Sequence, residues 1–93
     1  MSVLDWTVKL TPEAETDLAR LDKSIAKRIR NSLLMIEKLQ NPRLKGKALT
    51  GPLGEFWSYR VGDYRIICRI QDKQITVLVV KIAHRSNVYR KKH

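Results

Sequence analysis

The apolar pattern of this chain changes period once, and that change limits the folds open to it. In 25–39, Ile25, Ile29, Leu33, Ile36 and Leu39 fall at spacings of four, four, three and three. That is one face of a helix. Beyond Phe56 the repeat becomes two, and Phe56–Val61, Tyr64–Ile70 and Ile75–Ile82 read as strands. Trp6-Thr7-Val8-Lys9-Leu10 alternates as well and predicts a short opening strand. Thr11 then suits a helix N-cap and Pro12 the first helical position, with Glu13, Glu15 and Asp17 facing the positive end of the dipole. Asp22 marks a break and the cap of the second helix, which Asn41-Pro42 should stop. Residues 42–54, with Pro42, Gly46, Gly51, Pro52 and Gly54, read as a loop. The order is β-α-α-β-β-β. It predicts an α+β fold with two N-terminal helices on one face of a mainly antiparallel, twisted sheet.

At 93 residues the chain fits one domain, expected to span 1–93. No apolar run nears the roughly 20 residues needed to cross a bilayer. The opening Met1–Trp6 lacks the layout of a signal peptide, so the cytoplasm is the expected compartment. Charge is the stronger clue. Residues 1–41 hold seven Lys/Arg and six Asp/Glu, whereas residues 42–93 hold twelve and three. After Asp72 no acid follows. Such asymmetry favours a polyanionic partner, of which nucleic acid is the commonest.

Gly62-Asp63 suits a two-residue hairpin loop with glycine at the first, positive-φ position of a type II′ turn. Val61 then faces Tyr64, Arg60 faces Arg65, Tyr59 faces Ile66, Ser58 faces Ile67 and Trp57 faces Cys68. One face carries Trp57, Tyr59, Val61, Tyr64, Ile66, Cys68 and Ile70, which should meet the helices. Cys68 is thus expected to be a core hydrophobe with no redox role. Phe56, Ser58, Arg60, Arg65, Ile67 and Arg69 fall on the other face, where Arg65 is expected to face solvent. Two opposed arginines repel by about 0.2–1 kcal/mol in a sheet, and a phosphate between them would reverse the sign. Downstream, His84, Arg85, Ser86, Tyr89 and Arg90 gather with no acid among them. Such groups can bind phosphate, stack on a base and move protons. There is no paired-carboxylate set, glycine-rich phosphate loop or metal-ligand spacing, so no metal or cofactor is expected.

The segments Trp57-Ser58-Tyr59-Arg60-Val61-Gly62-Asp63-Tyr64-Arg65-Ile66-Ile67 and His84-Arg85-Ser86-Asn87-Val88-Tyr89 resemble the RelE/ParE superfamily of bacterial toxins, and within it the RelE (StbE-like) branch. The likeness extends to Trp6–Ala14 and to Leu49-Thr50-Gly51. It implies the toxin of a type II toxin–antitoxin pair, with two helices against a curved antiparallel sheet. It further implies a metal-independent endoribonuclease that enters the ribosomal A site and cuts mRNA there, by attack of a ribose 2′-hydroxyl on the adjacent phosphate. Its partners would be mRNA, ribosomal RNA and a RelB-like antitoxin that covers the basic site.

Carried over by position, the resemblance gives Arg65 the transition-state charge, Arg60 a supporting charge, Arg85 the second arginine and Tyr89 contact with the nucleotide. Ser58 stands where well-known members carry a basic residue. Neither serine nor arginine is a base near neutral pH. His84 therefore becomes the candidate for proton transfer, beside its plainer reading as a turn residue bonded to backbone. Arg43, Lys45, Lys47, Ser58, Arg69, Lys81 and Arg90 are candidates for RNA or ribosome contact. A DNA gyrase inhibitor of ParE type and a catalytically degenerate RNA-binding module remain alternatives.

Overall fold

A computed structural model describes residues 5–49 and 55–86. Strand β1 (Thr7–Leu10) runs into helix α1 (Pro12–Ala19) through Thr11, whose extended backbone and hydroxyl cap the helix by accepting the Ala14 amide at 3.1 Å. Helix α2 (Lys23–Glu37) buries Ala26, Ile29, Leu33 and Ile36, the face that the spacing predicts. Asp22 holds the N-cap position without a side-chain cap bond. The helix ends four residues before Asn41. The amides of Lys38 and Leu39 reach back only three residues, to Met35 and Ile36, which tightens the last turn. Asn41 caps a separate 3₁₀ turn, Pro42–Leu44, by accepting the Arg43 amide at 2.9 Å.

The rest is sheet: β2 (Lys47–Ala48), β3 (Trp57–Val61), β4 (Tyr64–Gln71) and β5 (Thr76–His84), in the order β1-β5-β4-β3-β2. β1 pairs parallel to β5 and the other pairs are antiparallel. The mixed, mostly antiparallel sheet under two helices is the predicted class, with one addition. The expected loop at 42–54 contributes a two-residue edge strand, β2. All five hairpin pairs from Val61–Tyr64 to Trp57–Cys68 stand in the predicted register. Gly62 has φ +58°, and Asp63 stays at negative φ, as a II′ turn requires.

A bulge interrupts β4–β5: Ile67 pairs with Lys81 but Cys68 with Val79, leaving Val80 unopposed. Helix α1 is fastened there, with the Thr11 hydroxyl donating to the Val80 carbonyl at 3.4 Å and Asp17 accepting the Ile82 amide at 3.0 Å. Ile29, Ile66, Val77, Val79 and Cys68 form the centre of the core between helices and sheet. Burial pushes the Cys68 thiol up to about 12. Among the described residues no helix is long and apolar enough to cross a membrane.

Candidate nucleic-acid interface

The hairpin sets two rows of side chains across the face turned away from the helices. One row is Arg60, Arg65 and Ala83, and the next is Lys47, Ser58, Ile67 and Lys81. Arg60 is exposed, and its Nε donates to the Gly62 carbonyl at 3.3 Å. Arg65 is only 8% exposed, against the expectation that it faces solvent. Strand alternation correctly gives the side of the sheet but does not tell what covers it. Ser58 is buried too, at 3%.

The segment before β2 is held beside the edge of β3 by the hydroxyl and indole groups of two aromatic residues on the helix side of the sheet. Trp57 Nε1 donates to the Lys45 carbonyl at 2.8 Å and the Tyr59 hydroxyl to the Pro42 carbonyl at 2.7 Å. Desolvation raises the Tyr59 pKa well above its ordinary value, so the hydroxyl remains a donor. Gly46 lies between, at φ +77°, where a Cβ would stand 2.5 Å from the Ser58 carbonyl oxygen. Only glycine allows so close an approach. The outcome is a cleft of about 440 Å³ along the outer edge of β3, with Lys45, Lys47, Arg60 and Arg65 among its lining residues.

The other basic candidates are occupied by carboxylates. Arg43 makes a two-pronged pair with Asp72 at 2.9 and 3.0 Å, which holds the Asp72 carboxyl below the usual carboxylate range. Arg69 bonds Glu55 at 3.1 Å and lies over the Phe56 ring. Lys81 reaches back to Glu13 at 3.2 Å and Asp17 at 3.8 Å. Thus Glu55 and Asp72, two of the three acids in the basic half, sit with Arg69 and Arg43. The third, Asp63, is in the turn, where its carbonyl accepts the Arg85 amide at 2.7 Å. Lys45, Lys47 and Arg60, on the cleft, carry no such carboxylate among the described residues, a difference that sequence distances of 14 to 68 residues conceal.

His84 stands apart from the arginine row. It pairs with Tyr64, on the helix side of the sheet, and the two rings meet edge-on with centroids 5.3 Å apart. Its Nδ1 lies 3.2 Å from the Ser86 amide and 2.9 Å from the Ser86 hydroxyl. A backbone amide can only donate, so Nδ1 is the acceptor and the neutral ring carries its proton on Nε2. This is the plainer reading, a residue that caps the turn after β5. Tyr89 and Arg90 lie outside the described residues. Among the described residues no cluster of three or more His, Cys, Asp or Glu could hold a metal ion.

The family model described as "ParE toxin of type II toxin-antitoxin system, parDE" matches residues 8–89. The toxin RelG of Mycobacterium tuberculosis is 31% identical over 88 residues, covering 95% of this chain and all of RelG. The toxin RelE of the same organism is 37% identical over 85 residues, covering 91% of this chain and 87% of that one. Among solved structures, a RelBE toxin–antitoxin complex from M. tuberculosis superposes with a TM-score of 0.78 at 30% identity, covering 92% of this chain and 97% of its own. The isolated Escherichia coli RelE toxin shares the fold, with a TM-score of 0.70 at 19% identity over 90% of each chain. A hairpin read from residues, a sheet that confirms its register and relatives matched over nearly their whole length all converge: the chain belongs to the RelE/ParE superfamily of toxins from type II toxin–antitoxin systems.

Proposed function

We propose that this toxin is a ribosome-dependent mRNA endonuclease that cuts in the A-site codon without using a metal ion. The observation that carries the reading is the cross-strand Arg60–Arg65 pair flanked by Lys45 and Lys47, four cations on one cleft with no carboxylate of the described residues paired to Lys45, Lys47 or Arg60. In the reaction a ribose 2′-oxygen bonds to the adjacent phosphorus while the bond from phosphorus to the 5′-oxygen breaks. The products are a 2′,3′-cyclic phosphate and a 5′-hydroxyl; the 2′-hydroxyl gives up its proton and the 5′-oxygen takes one. Negative charge grows on the phosphoryl oxygens, and a buried guanidinium already in place stabilises it without reorganising. Arginine stays charged throughout, so Arg65 and Arg60 supply electrostatics, not a base. His84 acts as the cap of the turn that carries Arg85, and Tyr89 and Arg85 take the nucleotide contacts that the family likeness implies.

A RelB-like antitoxin with an acidic segment would hold the toxin inactive in the cytoplasm by covering this basic half. The match to a ParE family model favours a second reading, inhibition of DNA gyrase. A toeprint of mRNA on purified ribosomes separates the two. Cuts inside the A-site codon are expected; intact mRNA together with loss of gyrase supercoiling would replace the first reading by the second.

A further inference from the structure

The cleft has a second wall that phosphate binding does not need. Besides its cations the cleft is lined by Ser32 and Met35 of α2 and by Leu39, two residues beyond the helix end. Met35 is 59% exposed, although its neighbour Ile36 is in the core. A flexible, polarisable thioether held open in this way fits a flat, apolar surface of varied shape. The floor is the edge of β3. Leu49 donates to the Phe56 carbonyl at 3.0 Å just before β3, and Lys47 pairs with Ser58, so the residues of β3 whose peptide groups turn outward are Ser58 and Arg60. β2 begins at Lys47 and has nothing to set against Arg60. Its main-chain N–H and C=O therefore present one donor and one acceptor at the edge, with no main-chain partner among the described residues.

The cleft is short. At one end Lys45 and Gly46 are held on β3 by Trp57. At the other the lining stops at Val61, next to the turn where the guanidinium of Arg28 reaches from α2 to Gly62, its nitrogens 3.4 Å from where a Cβ would lie. A helix or an extended peptide would have to leave over one of these ends, whereas a single planar group fits between them. We propose that this cleft is a nucleobase subsite. It takes one unpaired base of an RNA strand whose phosphate rests on Arg60 and Arg65, with the base's face on Met35 and Leu39 and its hydrogen-bonding edge on the Arg60 peptide groups. The assignment rests on the RNA reading above and names where that RNA puts a base. Unstacked bases held on side chains and read along their edges are the usual mode of single-strand RNA recognition.

The chain has two methionines, Met1 and Met35, so selective ¹³C-methyl labelling gives one reporter in the cleft and one outside it. The probe is a 2′-O-methyl trinucleotide, which lacks the attacking hydroxyl and is not cut, alongside its abasic counterpart. The base-bearing probe should move the Met35 methyl signal upfield by ring current and leave Met1 in place; the abasic probe should move neither. Met35→Ala should weaken the base-bearing probe by about fivefold, from the apolar area it removes, and leave the abasic one unchanged. Binding without movement of Met35, or no binding up to millimolar probe, overturns the subsite. So does a Met35 response to a glutamate-and-leucine peptide in place of the RNA, which would make the cleft a protein-docking site. A Met35 shift with no ribosomal cleavage would instead sink the nuclease reading and leave the subsite standing.

Discussion

Gly46→Ala tests whether the segment before β2 is what builds the cationic wall. The new Cβ would meet the Ser58 carbonyl oxygen at 2.5 Å, Trp57 Nε1 at 2.7 Å and Tyr59 Cδ1 at 2.9 Å. Ser58 is main chain in a paired strand and Tyr59 is buried, so the segment itself must move away. Holding alanine at φ +77° costs about 1 kcal/mol. Losing the bond from Trp57 Nε1 to the Lys45 carbonyl adds about 1 kcal/mol. The sum, about 2 kcal/mol, leaves most molecules folded. With a urea slope of about 1–1.5 kcal/mol/M for a small domain, the midpoint should fall by about 1.3–2 M. Function should change in a separate way. If Lys45 and Lys47 no longer reach the strand, two phosphate contacts are lost and the salt slope of single-stranded RNA binding should flatten by about 1.4. The Lys45→Ala/Lys47→Ala double variant should flatten the slope equally while keeping a near-normal urea midpoint. A Gly46→Ala protein with an unchanged midpoint, or with the full salt slope, would refute the reasoning.

Four further outcomes follow from the geometry. Arg65→Ala should lower single-turnover cleavage by about 10²–10³, checked on protein shown to be folded by circular dichroism, and a rate within a few-fold of normal would remove Arg65 from the reaction. His84→Asn, which keeps an acceptor for the Ser86 amide, should cut at nearly the normal rate with an unaltered pH profile; a titration lost with the ring would restore His84 to proton transfer. Burial pushes the Cys68 thiol up to about 12, so iodoacetamide at pH 8 should leave the native protein unmodified and label it in urea. Rapid labelling of native protein would contradict the core position. The Arg43 bond lowers the Asp72 pKa, so that pair's contribution to stability is present above the unfolded carboxyl value of about 3.9 and is lost as pH falls through the lower folded value. Asp72→Asn should therefore lower Tm at pH 7 and match the unsubstituted protein in strong acid; equal Tm at both would refute it.

What could be read from residues alone depended on how local the controlling geometry was. The hairpin register follows from a two-residue loop whose glycine adopts the φ it demands, so all five pairs were legible. The α2 face was legible because side-chain spacing alone decides it. β2 was not, since two exposed residues carry no period, and their place beside β3 depends on what Trp57 and Tyr59 bond in the segment before them. Nor was the burial of Arg65, because alternation assigns a side of the sheet and not its cover. The carboxylate partners of the basic candidates were hidden for a related reason: Arg43 and Asp72 are 29 residues apart, and Lys81 and Glu13 are 68 apart. Met35 was passed over because helix period marks it as an outward residue, and only the fold brings it to the cleft that Arg60 lines.

The bulge at Val80 is a half-period phase slip in the last strand. Before it the odd-numbered Val77 and Val79 point into the core; after it the even-numbered Ile82 does, and Ala83 joins the arginine row. An uninterrupted ladder would reverse that assignment and place Ile82 beside Arg65, with Ala83 under the helices. The strand thus encodes two opposite alternations end to end, and one unopposed residue is the switch between them. Deleting Val80 would take out that switch and leave Val79, Lys81 and Ile82 in plain alternation, with Ile82 still under the helices and Ala83 still in the arginine row. The toxin's basic face and its hydrophobic core therefore share a length constraint: loss of the unopposed residue is compatible with both, whereas a one-residue insertion would need a second bulge and should be tolerated less well than most substitutions within the same strand.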